Sequence, residues 1–126
     1  MKVLIVDDAN TLRSLVQVYL LAEGWEFAEA RDGAEGLAQA RALRPDVVIS
    51  DANMPVMDGF ELCAAIRSDP ALARTPVVLL TIRGDEDSKA RGRLVGASAF
   101  LTKPVSPAEL KEAVLAVSRR TASGRA

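Results

Sequence analysis

The sequence predicts a doubly wound α/β fold: five β-α units, written (βα)5, whose parallel sheet is covered by helices on both faces. Three observations predict it. Five short apolar runs recur along the 126 residues, at Val3–Val6, Trp25–Ala28, Val47–Ile49, Val77–Leu80 and Phe100–Leu101. Segments with helical caps or helical spacing lie between them. The first, third and fourth runs are continuous rather than alternating, as strands buried on both faces are.

The elements follow in order. After the first run, Leu12, Leu15, Val16 and Tyr19 repeat at i, i+3, i+4 and i+7, and Gly24 is a natural stop. The second run alternates, Trp25 and Phe27 against Glu26 and Glu29, and reads as a half-exposed edge strand. Asp32 with Glu35, and Asp58 with Glu61, are N-cap pairs opening the second and third helices, which end before Pro45 and Pro70. Residues 86–95 form the weakest helix, highly charged and interrupted by Gly92, which costs about 1 kcal/mol relative to Ala. The last helix is the clearest, with Ser106 as N-cap, Pro107 at N1 and Glu109 at N3, then Leu110, Ala113, Val114 and Val117 on one face.

Composition narrows the function classes. Sixteen basic and 17 acidic residues give a net charge of −1, so nothing favours nucleic acid or an anionic membrane. No apolar run approaches the ~18 residues of a spanning helix and no signal pattern opens the chain, so it is expected in the cytoplasm. The single Cys63 precludes an internal disulfide. There is no His, which removes Ser–His and Cys–His catalysis and His-ligated zinc.

The informative residues stand where the apolar runs end. Asp7 and Asp8 close the first run and Asp51 the third. In open α/β sheets ligands bind outside the carboxyl ends of the strands, so the three acids converge if those strands are neighbours. Clustered carboxylates repel, and a hard divalent cation such as Mg2+ resolves the conflict with oxygen ligands. Thr81, ending the fourth run, and Lys103, just past the fifth, bring a hydroxyl and an ammonium to the same rim. Acids, metal, hydroxyl and Lys together suit a phosphoryl group carried on a carboxylate.

The segments "VDD", "ISDANMPVMDG", "LLT" and "GASAFLTKP", in this order and spacing, resemble the receiver domains of two-component response regulators, especially single-domain CheY-like regulators. The resemblance covers residues 2–118. It implies the flavodoxin-like strand order 2-1-3-4-5 and a receiver domain over residues 1–120, leaving 121–126 as a short flexible tail. It makes Asp51 the phosphoacceptor, served by Lys103 and Thr81. It assigns Mg2+, with Mn2+ as a substitute, to Asp8, Asp51, the backbone carbonyl of Asn53 and, through water, Asp7. Thr81 and Phe100 become the switch pair, and Met54 and Met57 shape the loop after Asp51.

The implied function is a signalling switch. A histidine kinase or phosphotransfer protein phosphorylates Asp51, and the face built from the fourth helix, fifth strand and last helix changes its affinity for a downstream protein. Such a chain is not a conventional enzyme, although it catalyses its own aspartyl phosphorylation and dephosphorylation. A monomer or weak dimer is expected, with no direct contact to nucleic acid or membrane. A stand-alone regulator is the expectation; a receiver excised from a larger regulator or hybrid kinase, and a phosphorylation-independent pseudo-receiver, are the alternatives. A free-standing aspartyl-phosphate phosphatase would need a cap over the site, and the short loops leave no room for one. Two departures from the family pattern stand at Ile82 and Arg83, where smaller and acidic or polar residues are usual; both are expected to modulate rates. Lys89, Arg91 and Arg93 make the fourth helix more basic than in chemotaxis regulators.

Overall fold

The computed structural model describes residues 1–124, with side chains through Arg119. Five strands, β1 (Lys2–Val6), β2 (Glu26–Ala30), β3 (Val47–Asp51), β4 (Val77–Thr81) and β5 (Ala99–Thr102), form one sheet in the order β2-β1-β3-β4-β5. Every pairing is parallel. Five helices connect and follow them: α1 (Asn10–Tyr19), α2 (Gly33–Leu43), α3 (Gly59–Ser68), α4 (Glu86–Leu94) and α5 (Pro107–Gly124). The predicted fold class and strand order are both observed. Residues 125 and 126 of the expected tail lie outside the described residues, and the backbone of α5 continues to Gly124.

Alternation along each strand divides the interior into two layers. Val3, Ile5, Val47, Ile49, Val78 and Leu80 pack under α1 and α5 with Val16, Leu110 and Val114. Leu4, Val6, Val48 and Leu79 point the other way, against Phe60, Leu62, Cys63 and Ile66 of α3. Cys63 is fully buried and its Sγ lies 3.3 Å from the Val95 carbonyl; burial pushes its thiol pKa up, so it serves as a packing residue.

The caps read from the sequence are present. Asp32 accepts from the Glu35 amide, Asp58 and Glu61 form a reciprocal capping box, and Ser106 and Glu109 form another. Several boundaries differ from expectation. The α1 helix stops at Tyr19 and continues as a 3-10 turn over Leu21–Glu23, so Gly24, at φ 72°, caps that turn and not the α-helix. The β2 strand runs two residues further, to Ala30, because the end of β1 supplies pairing partners up to Val6↔Ala30. The β5 strand gains one residue at each end through pairing with Val78 and Thr81.

Gly92 also has a tertiary reason. It is buried in α4, and a Cβ there would lie 2.9 Å from Cδ2 and 3.3 Å from Cε2 of Phe100. The missing methyl lets the aromatic ring lie against the helix. Arg91, beside it, places its guanidinium 4.3 Å from the centre of the Phe60 ring and 3.4 Å from Asp58 Oδ2. The Phe60 and Phe100 rings are themselves 6.3 Å apart.

At an ordinary exposed helix position, Gly92→Ala would add about 1 kcal/mol of stability. Here the ring of Phe100 must move, so the variant is expected to be less stable than the parent by chemical denaturation, with altered NMR signals for Phe100. A full 1 kcal/mol gain would show that Phe100 is not held against α4.

Candidate functional site

The parallel sheet delivers the candidate residues to its carboxyl edge. Asp51 is the last residue of β3 and Thr81 the last of β4, whereas Asp7 follows β1 and Lys103 follows β5. Backbone bonds hold these ends in register: the Ala52 amide donates to the Leu80 carbonyl at 2.8 Å and the Lys103 amide to the Thr81 carbonyl at 2.6 Å. Gly59 completes the fit. A Cβ at this position would collide with the Asp51 carbonyl oxygen, so only glycine lets α3 start directly behind the strand.

One carboxylate oxygen from each of Asp7, Asp8 and Asp51 lies within 4.8 Å of the others. Lys103 Nζ is 3.1 Å from Asp51 Oδ1 and 3.7 Å from Asp7 Oδ2. Asp7 is buried and Asp8 exposed; Asp51 keeps 11% of its side chain accessible, enough to be reached from solvent. Burial is the main cause raising the pKa of Asp7, opposed by the Ala9 amide that donates to Oδ1 at 2.9 Å; Asp51 and Asp8 raise it further while Lys103 lowers it. Three carboxylates against one ammonium leave two negative charges at one rim. That charge, and an all-oxygen donor set, fit a divalent hard cation.

The remaining candidates surround this cluster. Thr81 is buried, and its Oγ1 accepts from the Arg83 amide at 3.0 Å and from Asn53 Nδ2 at 3.4 Å. Phe100 is half-buried and packs on the α3 side with Met54 and Met57. Ile82 does not enter the core: it is 75% exposed. With Asp7, Lys103, Leu15, Leu80 and Pro104 it lines a cleft of about 340 Å3 that opens beside the acids. Arg83 is exposed next to it. The Lys103–Pro104 peptide is cis.

Two supporting residues escaped the sequence reading. Arg13 is buried and donates to the Asp7 carbonyl at 2.6 Å, to Glu29 Oε1 at 3.0 Å and to Asn10 Oδ1 at 3.1 Å. It ties α1 to the acidic end of β1 and to β2. Val56 is the second. The Met57 amide donates to the Pro55 carbonyl at 2.8 Å, closing a γ-turn with Val56 at its centre, at φ 70° and 81% exposed. This conformation is rare for a β-branched residue. A cation next to an apolar stripe was the available signal for Arg13; nothing in the sequence marks Val56.

Comparison with known proteins agrees with this geometry. The response regulator receiver domain matches residues 3–115. Protein PilG of Pseudomonas aeruginosa is 36% identical over 92% of this chain and 86% of its own length. The phosphate regulon transcriptional regulatory protein PhoB of the same organism is 37% identical over 97% of this chain, which spans only 53% of that regulator. Among solved structures, chemotaxis protein CheY4 of Vibrio cholerae aligns with a TM-score of 0.86 at 42% identity, covering 92% of this chain and 97% of that one. A putative response regulator from Chloroflexus aurantiacus aligns with a TM-score of 0.89 at 35% identity, covering 94% and 97%. With the acidic rim at the carboxyl edge of a 2-1-3-4-5 sheet, these likenesses place the chain in the response regulator receiver family of two-component signalling, with a CheY-like fold.

Proposed function

We propose that the chain is a phosphorylation-operated switch in which Asp51 accepts a phosphoryl group from a histidine kinase or phosphotransfer protein. The observation that carries this reading is the Lys103–Asp51 contact of 3.1 Å inside the three-acid cluster. An Asp51 carboxylate oxygen forms the new bond to phosphorus while the bond from phosphorus to the donor imidazole nitrogen breaks, and that nitrogen keeps the electron pair. Lys103 compensates charge on the phosphoryl oxygens. Thr81 accepts two hydrogen bonds through Oγ1 and still has its hydroxyl proton to donate. Asp8, Asp51 and the Asn53 carbonyl would hold Mg2+, with Asp7 acting through water. When bound, the ion offsets negative charge on the acids and the phosphoryl group.

Phosphorylation adds about −1.5 to −2 charges at Asp51. In this reading Thr81 moves toward the new oxygens, Phe100 follows, and the face formed by α4, β5 and α5 changes its affinity for a downstream protein. No helix among the described residues is long and apolar enough to cross a membrane, in keeping with a cytoplasmic regulator.

With Mg2+ and a small acyl phosphate, the intact protein should gain the mass of one phosphoryl group, stable in acid and labile in base. Asp51→Asn should gain none; undiminished labelling of that variant would remove Asp51 from its role and favour a phosphorylation-independent module.

The raised pKa of Asp7 makes its ionised form unfavourable in the folded protein. Without metal, Asp7→Asn should therefore be more stable than the parent near pH 7. The gain should shrink as pH falls through the folded-state pKa and vanish below the ordinary value of 3.8, where Asp7 is protonated in both states. Urea denaturation over this range checks the sign, and a less stable Asp7→Asn at neutral pH contradicts it.

Ile82 is stiff at χ1 and lines the cleft that Asp7 and Lys103 share, the side from which a donor would approach Asp51 in this reading. Misplacing a reactant by ~1 Å can cost about 100-fold in rate. Ile82→Ala should speed both phosphorylation by small donors and loss of the phosphoryl group as inorganic phosphate, within that bound. Arg83→Ala should shorten the phospho-Asp51 lifetime, since its guanidinium can reach a phosphoryl oxygen. Unchanged rates in Ile82→Ala would reduce this residue to a surface contact.

A further inference from the structure

Asp7, Lys103 and Ile82 line the cleft of about 340 Å3 at the acidic rim. Helix α1 contributes Leu12, Leu15 and Tyr19 to it, and the loop after β5 contributes Pro104 and Val105. Asp7 and Lys103 are the only charged groups in this lining among the described residues. The volume stands at the lower end of the roughly 300–1,000 Å3 of small-molecule sites. Leu15 is 42% exposed and Ile82 75%, so apolar lining stays open to water. The cleft thus joins a mainly apolar surface to one cation and one acid of the site.

These two charged groups do not belong to the cleft alone. Lys103 Nζ is 3.1 Å from Asp51 Oδ1 and 3.7 Å from Asp7 Oδ2, so a molecule resting in the cleft lies one side chain away from Asp51. A small anion without an apolar part gains little from such a lining, and an apolar molecule without charge makes no use of Lys103. A phosphoryl group joined to an apolar chain matches both: the phosphoryl oxygens meet Lys103, and the chain lies along Leu12, Leu15 and Ile82. Each methylene taken out of water is worth about fourfold in binding, whereas a polar leaving group such as ammonia or imidazole gains much less from apolar surroundings.

We propose that the cleft is a subsite for the leaving group of small-molecule phosphodonors, and that it selects acyl phosphates of longer aliphatic acids, such as butyryl phosphate, over acetyl phosphate. The inference rests on the reading of Asp51 as the phosphoacceptor. In the step, an Asp51 carboxylate oxygen bonds to phosphorus, the bond from phosphorus to the acyl oxygen breaks, and the acid departs as its carboxylate with that electron pair. Crowding by Ile82 slows every donor, whereas the apolar lining acts only on donors that carry an apolar chain. The two effects therefore separate in a ratio of donors. A second copy of the chain is the less suitable occupant, because an apolar side chain in the cleft would leave Lys103 unmatched.

The test follows phosphorylation of the full chain by intact mass, with Mg2+ and acetyl, propionyl or butyryl phosphate, or phosphoramidate. The three acyl phosphates share one reacting group, so their second-order rate constants should rise along the series, butyryl exceeding acetyl by about tenfold or more. Leu15→Gln should lower this butyryl-to-acetyl ratio by about fourfold and Leu15→Met should keep it. Any general loss of activity cancels in the ratio. In NMR spectra of the 15N-labelled chain with Mg2+, pentylphosphonate, a stable analogue of butyryl phosphate, should shift amides at 12–19 and 105 more than methylphosphonate does. A ratio near one, a ratio unchanged in Leu15→Gln, or equal shifts from both phosphonates would overturn the proposal. Shifts at 12–19 on raising the protein concentration alone would put a second copy in the cleft and overturn it too. Labelling by phosphoramidate with a flat acyl series sinks this inference alone. No label from any donor sinks the switch reading and the donor role with it, and shifts with pentylphosphonate would then leave only a site for apolar anions.

Discussion

The ammonium of Lys103 stands among carboxylates that would otherwise repel one another, and the rest of the site is arranged around that interaction. Asp7 is buried at the end of β1, Asp51 is nearly enclosed at the end of β3, and Asp8 adds a third charge from the surface. Removing a carboxylate from water costs several kcal/mol unless it is paired. One lysine does not balance three acids, so the fold retains a cluster with an excess of negative charge. The arrangement works against stability and is held because parallel β-α connections deliver these strand ends to the same edge.

Support comes from backbone groups and from arginines that take no direct part. Arg13 binds the Asp7 carbonyl and reaches Glu29 on β2, which fixes the end of β1 against its neighbour. Arg67 does the same at the opposite end of the sheet, donating to the carbonyls of Thr75 and Gly96 and to the Ser98 hydroxyl. These guanidiniums satisfy several acceptors in places where loops meet the sheet. Of the two, Arg13 holds the strand end that carries Asp7.

A second chain of contacts leads away from the acids. Gly59 sits directly behind Asp51, and Asp58 and Phe60 on either side of it both meet Arg91 of α4. Phe60 faces Phe100, whose ring rests on Gly92. The loop after Asp51 is thus in continuous contact with α4 and β5 through two aromatic rings and one guanidinium. These contacts run without a break from Asp51 to Phe100. They also anchor the helix with the poorest propensity in the chain: Arg91 meets Phe60 and Asp58 of the α3 side, and Gly92 lies against Phe100.

Much of this was legible in the residue order. Strand runs, caps at Asp32, Asp58 and Ser106, and acids at the ends of apolar runs are local patterns, and local patterns follow from chain geometry. The resemblance to receiver domains supplied the strand order and the roles expected of Asp51, Thr81 and Lys103. Long-range neighbours were not legible. Arg13 and Glu29, or Arg91 and Phe60, become partners only when elements distant in sequence are packed together. Gly92 read as a weak point of its helix until Phe100 lay against it, and Ile82 could have faced core or solvent until β4 ended at Thr81. The sequence by itself determined which elements form and which end of each strand carries charge, because periodicity and capping act over a few residues. Tertiary structure alone decided which charges meet, which glycine makes room for a ring and which side chain lines the cleft with Asp7 and Lys103, because those outcomes depend on distances between elements that no local pattern encodes.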